Sequence, residues 1–255
     1  MQSESFRVAG VSVQTFSLQS ASSRICDDVS TGNAFSVFTL NLDHVVKLRR
    51  DKIFRTAYDR AHIVLPDGFP IVLAGRLQRR DVRRTTGSDI IDPLCAEAAR
   101  RGIPVMLYGS TFETLTKAAR HLKSRHGALN IAGVFAPRHG LDVHLAEARD
   151  GMDFIHNSGA RICFVALGAP KQEIFADLCA QQFQGIAFIC IGAGLDFLAG
   201  SQQRAPRIFQ AAGLEWLWRM MSDPRRLTKR YLQCLYVFPG VLLEGLSRRF
   251  AAASA

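Results

Sequence analysis

Apolar positions in the first 200 residues fall in short runs separated by longer amphipathic stretches. FSVFTL (35–40) is rich in strand formers. From Leu42 to about Arg60, Val45, Val46, Leu48, Ile53 and Phe54 recur at helical spacing. HIVLP (62–66) predicts a second strand, with Gly68 turning the chain after it. PVMLYG (104–109) predicts a third, and Ser110 or Thr111 can cap the helix that follows. NIAGVF (130–135), RICFVALG (161–168) and IAFICIG (186–192) complete the set, and the segments between them have helical length. Strands alternating with helices predict an α/β fold, a Rossmann-like and mostly parallel sheet with helices on both faces. Such sheets bind ligands beyond the carboxyl ends of their strands, so the residues just after each strand are the candidates for chemistry.

After Gly200 the pattern changes. APRIFQAAGLEWLWRMM (205–221) predicts a helix with two tryptophans, Asp223–Pro224 a break, and PRRLTKRYLQCLYVF a basic, aromatic helix. Pro239–Gly240 predicts a second break before VLLEGLSRRF. The chain therefore divides into an α/β domain over 1–200 and a helical appendage over 201–255. With 48% hydrophobic and 21% charged residues, the composition excludes a disordered chain. No run approaches the roughly 20 apolar residues of a membrane span, and MQSESFRVAG has no apolar signal core, so export is not expected.

The formal charge of +10 is uneven: residues 201–255 carry +6 and the larger body +4. A basic surface suits nucleic acid, phosphorylated ligands or anionic lipid. Trp216, Trp218, Tyr231, Tyr236 and Phe238 interleave with the tail's cations, which suits a lipid interface; the plainer reading is a core helix with a solvated basic face. No nucleic-acid reading motif accompanies the charge. Six cysteines without CxxC spacing suggest buried thiols in a reducing cytoplasm rather than disulfides or zinc.

Five segments carry candidate chemistry. Thr39 and Asn41 end the first strand; a ligand contact and helix capping by Asn41 or Asp43 are both open, with capping favoured locally. Asp67 follows the second strand between Pro66 and Gly68, where a carboxylate can act as general base or simply bond its own turn. RRTTGSDII puts Arg83 and Arg84 before a helix that Ser88 would cap; a phosphate site and a solvated loop compete. LGAPKQEIF sets Gly168, Lys171, Gln172 and Glu173 at a strand–helix junction suited to a nucleotide or sugar. Gly192 and Gly194 follow the last strand, but Phe197 stands where G-x-G-x-x-G needs its third glycine, so the dinucleotide signal is weak. His44 and His62 fit structural or surface roles better than ligation. Asp-x-Asp, HExxH, P-loop and GxSxG motifs are absent.

Taken in order, TLNLDHVV, LPDGFPIV, RRTTGSD, LGAPKQE and the long segment from Gly192 to Leu232 resemble the WecG/TagA/CpsF family of bacterial glycosyltransferases, over roughly residues 35–235. The resemblance implies an inverting, metal-independent hexosyltransferase that needs no cofactor. Its donor would be a UDP-sugar: UDP-N-acetylmannosamine, its uronic acid or UDP-glucose. Its acceptor would be a polyprenyl-diphosphate-linked sugar at the cytoplasmic face of the membrane, in cell-surface polysaccharide or teichoic acid synthesis. Residue by residue, it implies Asp67 as the catalytic base, Thr39 and Asn41 in the substrate pocket, Arg84 on phosphate, and Gln172 on substrate. It also implies Arg204, Arg219, Arg225 and Arg226 on the diphosphate or the membrane. Phe69 after Asp67–Gly68 departs from the family's smaller or aliphatic residue and bears on which sugar fits. With the anionic membrane surface and the lipid-linked sugar as partners, nucleic acid becomes the least favoured. The assembly, monomer or homo-oligomer, is left open. The rival readings are a non-catalytic nucleotide- or membrane-binding module and a dinucleotide-dependent dehydrogenase.

Overall fold

Successive side chains along a strand point to opposite faces, and most strands of the main sheet are buried on both. In a computed structural model, which describes residues 4–138, 140, 146–206, 208–209 and 215–251, six parallel strands form the sheet. They are β3 (Phe35–Leu40), β4 (Ile63–Pro66), β5 (Val105–Gly109), β6 (Ile131–Phe135), β7 (Ile162–Ala166) and β8 (Ala187–Cys190), in the order β4-β3-β8-β7-β5-β6. Phe38, Val64, Tyr108, Val165 and Phe188 face one core. Val37, Leu65, Leu107, Phe164 and Ile189 face the other. Every sequence-predicted strand is present, β3 at its expected bounds and the other five trimmed at one or both ends.

Helices α2 (Leu42–Leu48), α3 (Lys52–Arg60), α4 (Phe69–Leu77), α7 (Ala146–Asn157) and α8 (Lys171–Gln182) cover the first face. Helices α1 (Leu18–Val29), α5 (Ile91–Arg101), α6 (Phe112–Arg125) and α9 (Gly194–Leu198) cover the second. An antiparallel hairpin of β1 (Ser5–Val8) and β2 (Val11–Gln14), which the strand pattern did not announce, lies beside β4. Gln14 Oε1 accepts the Val64 N–H at 2.7 Å, so a side chain satisfies the outer edge of β4. In the C-terminal part, α10 (Glu215–Ser222) is followed by α11 (Pro224–Ala251), which packs along α2 and α4. Cys234, Val237 and Val241 of α11 join the first core.

Three local expectations are corrected. The single helix expected from Leu42 to Arg60 is two, because Asp51 accepts the N–H groups of Ile53 and Phe54, each at 3.0 Å, and starts α3 afresh. Pro239 does not end a helix. It lacks an N–H for the helical ladder, yet the helix runs through it, with Val237 and Val241 on either side buried in the core. Ser88 caps nothing: α5 starts later, at Ile91, and the turn before it is closed by Thr86 Oγ1, which accepts the Asp89 N–H at 3.1 Å. Of the tryptophan-bearing helix expected over 205–221, Glu215–Ser222 is helical; residues 207 and 210–214 lie outside the described residues.

Candidate active site

Neighbouring strands β3 and β8 send their following helices to opposite faces, α2 to the first and α9 to the second. Divergence of this kind opens a crevice at the carboxyl ends, where parallel sheets hold ligands. Asn41 stands at the end of β3 and Asp67 at the end of adjacent β4. The Asn41 side chain works in both directions. Its Oδ1 accepts the His44 N–H at 3.0 Å and caps α2, while its Nδ2 donates to Asp67 Oδ2 at 3.4 Å. Capping and site contact, rivals in the sequence, are one arrangement. The Asp67 N–H donates to the Leu40 carbonyl at 2.9 Å, and Gly68 at φ +82° makes the turn that a side chain would strain. The half-buried carboxylate thus sits at the amino end of α4, with Phe69 exposed beside it. Thr39 is buried; its carbonyl accepts the Tyr58 hydroxyl at 2.7 Å and lies 2.8 Å from His44 Nδ1.

The segment Arg84–Asp89 is wedged across these strand ends. Thr85 N–H donates to the Pro66 carbonyl at 2.8 Å. A Cβ on Gly87 would lie 2.8 Å from Ile191 Cα and 2.9 Å from the Cys190 carbonyl oxygen, so only glycine lets the backbone approach β8 this closely. Arg83 is exposed, whereas Arg84 turns inward. Arg84 Nη1 meets Glu215 Oε2 at 3.2 Å and its Nη2 lies 3.8 Å from Asp89 Oδ2. Asp89 Oδ1 accepts from Arg204 Nη2 at 2.6 Å. Arg204 Nε is buried with no hydrogen-bond partner among the described residues. Arg84 and Arg204 therefore converge on one carboxylate, which orients two guanidinium groups of the kind that grips phosphate.

Arg225 lies elsewhere. With Arg49, Arg50 and Lys229 it lines a groove of about 660 Å³ between α2 and α11, floored by apolar residues such as Val46 and Leu232. The side chains of Arg219 and Arg226 lie outside the described residues.

Gly168 (φ +74°) and Gly192 (φ +57°) each have open space where a side chain would stand. Gly194 has less room: its Cβ would lie 2.5 Å from Ile91 Cδ1 and 3.3 Å from Ser88 Cα. Gln172 is buried. Its Oε1 accepts the Gly192 N–H at 3.1 Å and its Nε2 donates to Glu173 Oε1 at 2.7 Å.

Sequence reasoning passed over Asp89, Tyr58 and Glu215, and it set Glu173 at the strand–helix junction without giving it a role of its own. Glu173 has no exposure, and burial pushes its carboxyl up to about 8, more than the Gln172 bond and Lys47 pull it down. Burial also lowers His44 to about 4. His44 Nε2 stands 4.0 Å from Glu173 Oε1, beyond hydrogen-bond range; with both groups uncharged, theirs is not an ion pair. The one available signal was position: Glu173 lies inside the junction motif, beside Gln172.

Residues 6–251 match the model of the Glycosyl transferase WecG/TagA/CpsF family, and the chain belongs to that family.

Proposed function

With membership of that glycosyltransferase family as the premise, we propose that the protein moves a hexose or N-acetylhexosamine from a UDP-sugar to a polyprenyl-diphosphate-linked sugar, with inversion, in bacterial cell-surface polysaccharide or teichoic acid synthesis. The acceptor hydroxyl attacks the anomeric carbon opposite the UDP. Asp67 takes the hydroxyl proton as the new C–O bond forms, and Asn41 holds the carboxylate towards the crevice. The bond from the anomeric carbon to the UDP oxygen breaks, and its electron pair leaves with the diphosphate. Arg84 and Arg204 meet that growing charge and exchange their bonds to Asp89 and Glu215 for phosphate oxygens. The reading rests on one observation: a carboxylate hydrogen-bonded across adjacent strand ends, with an arginine-bearing loop fixed to the residue before it.

UDP release, measured with a panel of UDP-sugars and one prenyl-diphosphate acceptor, tests the reading. Asp67→Asn is expected to lower turnover by about 10²–10⁴-fold with UDP affinity unchanged. Near-normal turnover would remove Asp67 from the base role.

The same reading puts the enzyme on the cytoplasmic face of the membrane as a peripheral protein. No helix among the described residues is long and apolar enough to cross one. Support comes from α11, which exposes Leu232, Leu235, Tyr236, Leu243 and Phe250 along one side, flanked by the groove cations.

A further inference from the structure

Gln172 belongs to the motif assigned to substrate, yet it is 3% exposed and both ends of its amide are bonded inside the protein. Only a carbonyl oxygen can accept the Gly192 N–H; the amide NH2 in its place would oppose donor to donor. What fixes the orientation is the neighbouring carboxyl. Glu173 Oε1, as an acceptor, draws Gln172 Nε2 towards itself and leaves Gln172 Oε1 facing Gly192. A carboxyl is an expensive way to fill a wholly buried position. Glu173 Oε2 has no hydrogen-bond partner among the described residues, so the group is not held there by a full set of bonds of its own. What it supplies, and an apolar side chain would not, is the acceptor for Gln172. Cys190 Sγ, 3.4 Å from the Gln172 carbonyl oxygen, ties the same turn of α8 to the end of β8.

We propose that Glu173 is a positioning residue for glycosyl transfer: it locks the Gln172 amide in the orientation that holds Gly192, and so sets the β8–α9 turn that walls the crevice. This rests on the reading of that crevice as the substrate pocket. Gly192 is the sensitive point, because its left-handed backbone leaves open space beside the neighbouring strand end that carries Asn41.

Hydrogen exchange at the Gly192 amide of the full-length protein, together with kcat and KM for UDP release, tests the assignment. Glu173→Ala and Gln172→Leu are expected to speed exchange at Gly192 about tenfold or more, with the mid-sheet Ile189 amide unchanged. Both should raise the donor KM by a similar factor, with a smaller fall in kcat. Glu173→Gln keeps an acceptor for Gln172 and is expected to stay within about twofold of the wild type in both measurements. Slow exchange at Gly192 in a folded Glu173→Ala or Gln172→Leu protein would overturn the proposal. So would fast exchange with unchanged KM, or a Glu173→Gln protein as impaired as Glu173→Ala. The exchange arm needs no substrate, so absence of sugar transfer by the wild type would count against the proposed reaction while exchange still decides the lock.

Discussion

At the scale of single residues, the site is built on two buried titratable groups that both stay uncharged. His44 is lowered to about 4 and Glu173 raised to about 8, each chiefly by burial. Lys47 and Asp43 on α2 act on Glu173 in opposite directions, while Tyr58 on α3 and Cys190 on β8 lie close enough to feel its charge. The folded pKa of Glu173 lies above its ordinary 4.5, so folding favours its proton. Below pH 4.5 the group is protonated whether the chain is folded or not, and its burial carries no ionisation penalty. As pH rises from 4.5 to about 8 the unfolded chain gives up the proton first, and stability is lost. Glu173→Gln cannot ionise. It is expected to match the wild type near pH 4.5 and to be more stable by a few kcal/mol at pH 8, in chemical denaturation at both values. His44 titrates the other way, losing stability as pH falls towards 4, but it is present in both proteins and cancels in the comparison. A stability difference that does not change with pH would show that folding leaves the Glu173 carboxyl at its ordinary pKa.

At the scale of elements, what could be read from the sequence was whatever a local pattern decides. The β-branched and aromatic runs of β3, β5 and β7 were legible because strands buried on both faces are apolar throughout. Asp67 and Asn41 were legible as post-strand residues. The break before α3 was not, since the apolar spacing carries on past Asp51 and only a side-chain cap interrupts it. Asp89 looked like an ordinary loop carboxylate because its partner Arg204 is 115 residues away. Likewise, nothing local distinguishes a Pro239 that ends a helix from one carried within α11 by packing on both sides. That packing also decides how the membrane proposal should be tested. Removing residues 201–255 would uncover α2 and α4 and cost several kcal/mol of apolar burial from Cys234, Val237 and Val241. Leu232 and Tyr236 are 60% and 85% exposed, so the double change Leu232→Glu, Tyr236→Glu leaves that core intact. It is expected to weaken binding to anionic vesicles at least about tenfold with an unchanged melting temperature, read by co-sedimentation and calorimetry. Undiminished binding would take α11 out of the interface.

At the scale of the whole molecule, the excess charge becomes a matter of distance. Asn41 caps the amino end of α2, and Arg49 and Arg50 lie just past its carboxyl end, on the groove. Seven helical residues span about 10 Å, so the crevice at the strand ends and the cationic groove are separated by roughly one short helix. Arg230 of α11 meets Asp43 in the first turn of α2 at 3.1 Å and pins the long helix to the element that carries Asn41. In the proposed membrane-bound state, a lipid-linked diphosphate at the groove therefore needs to reach only that far. The attraction at the groove has two parts that respond differently to salt. A cation near an anionic surface contributes about 1 kcal/mol, and this falls as the screening length shrinks from about 10 Å at 0.1 M to a few ångströms at 1 M. The apolar stripe of α11 does not weaken with salt in this way. Raising salt from 0.1 to 0.5 M is thus expected to weaken binding to anionic vesicles by tenfold or more, and to change the weaker binding to neutral vesicles little. Arg225→Gln with Lys229→Gln should flatten that salt response while leaving UDP affinity in the crevice unchanged. A salt response as steep in the double variant as in the wild type would move the lipid contact away from this groove.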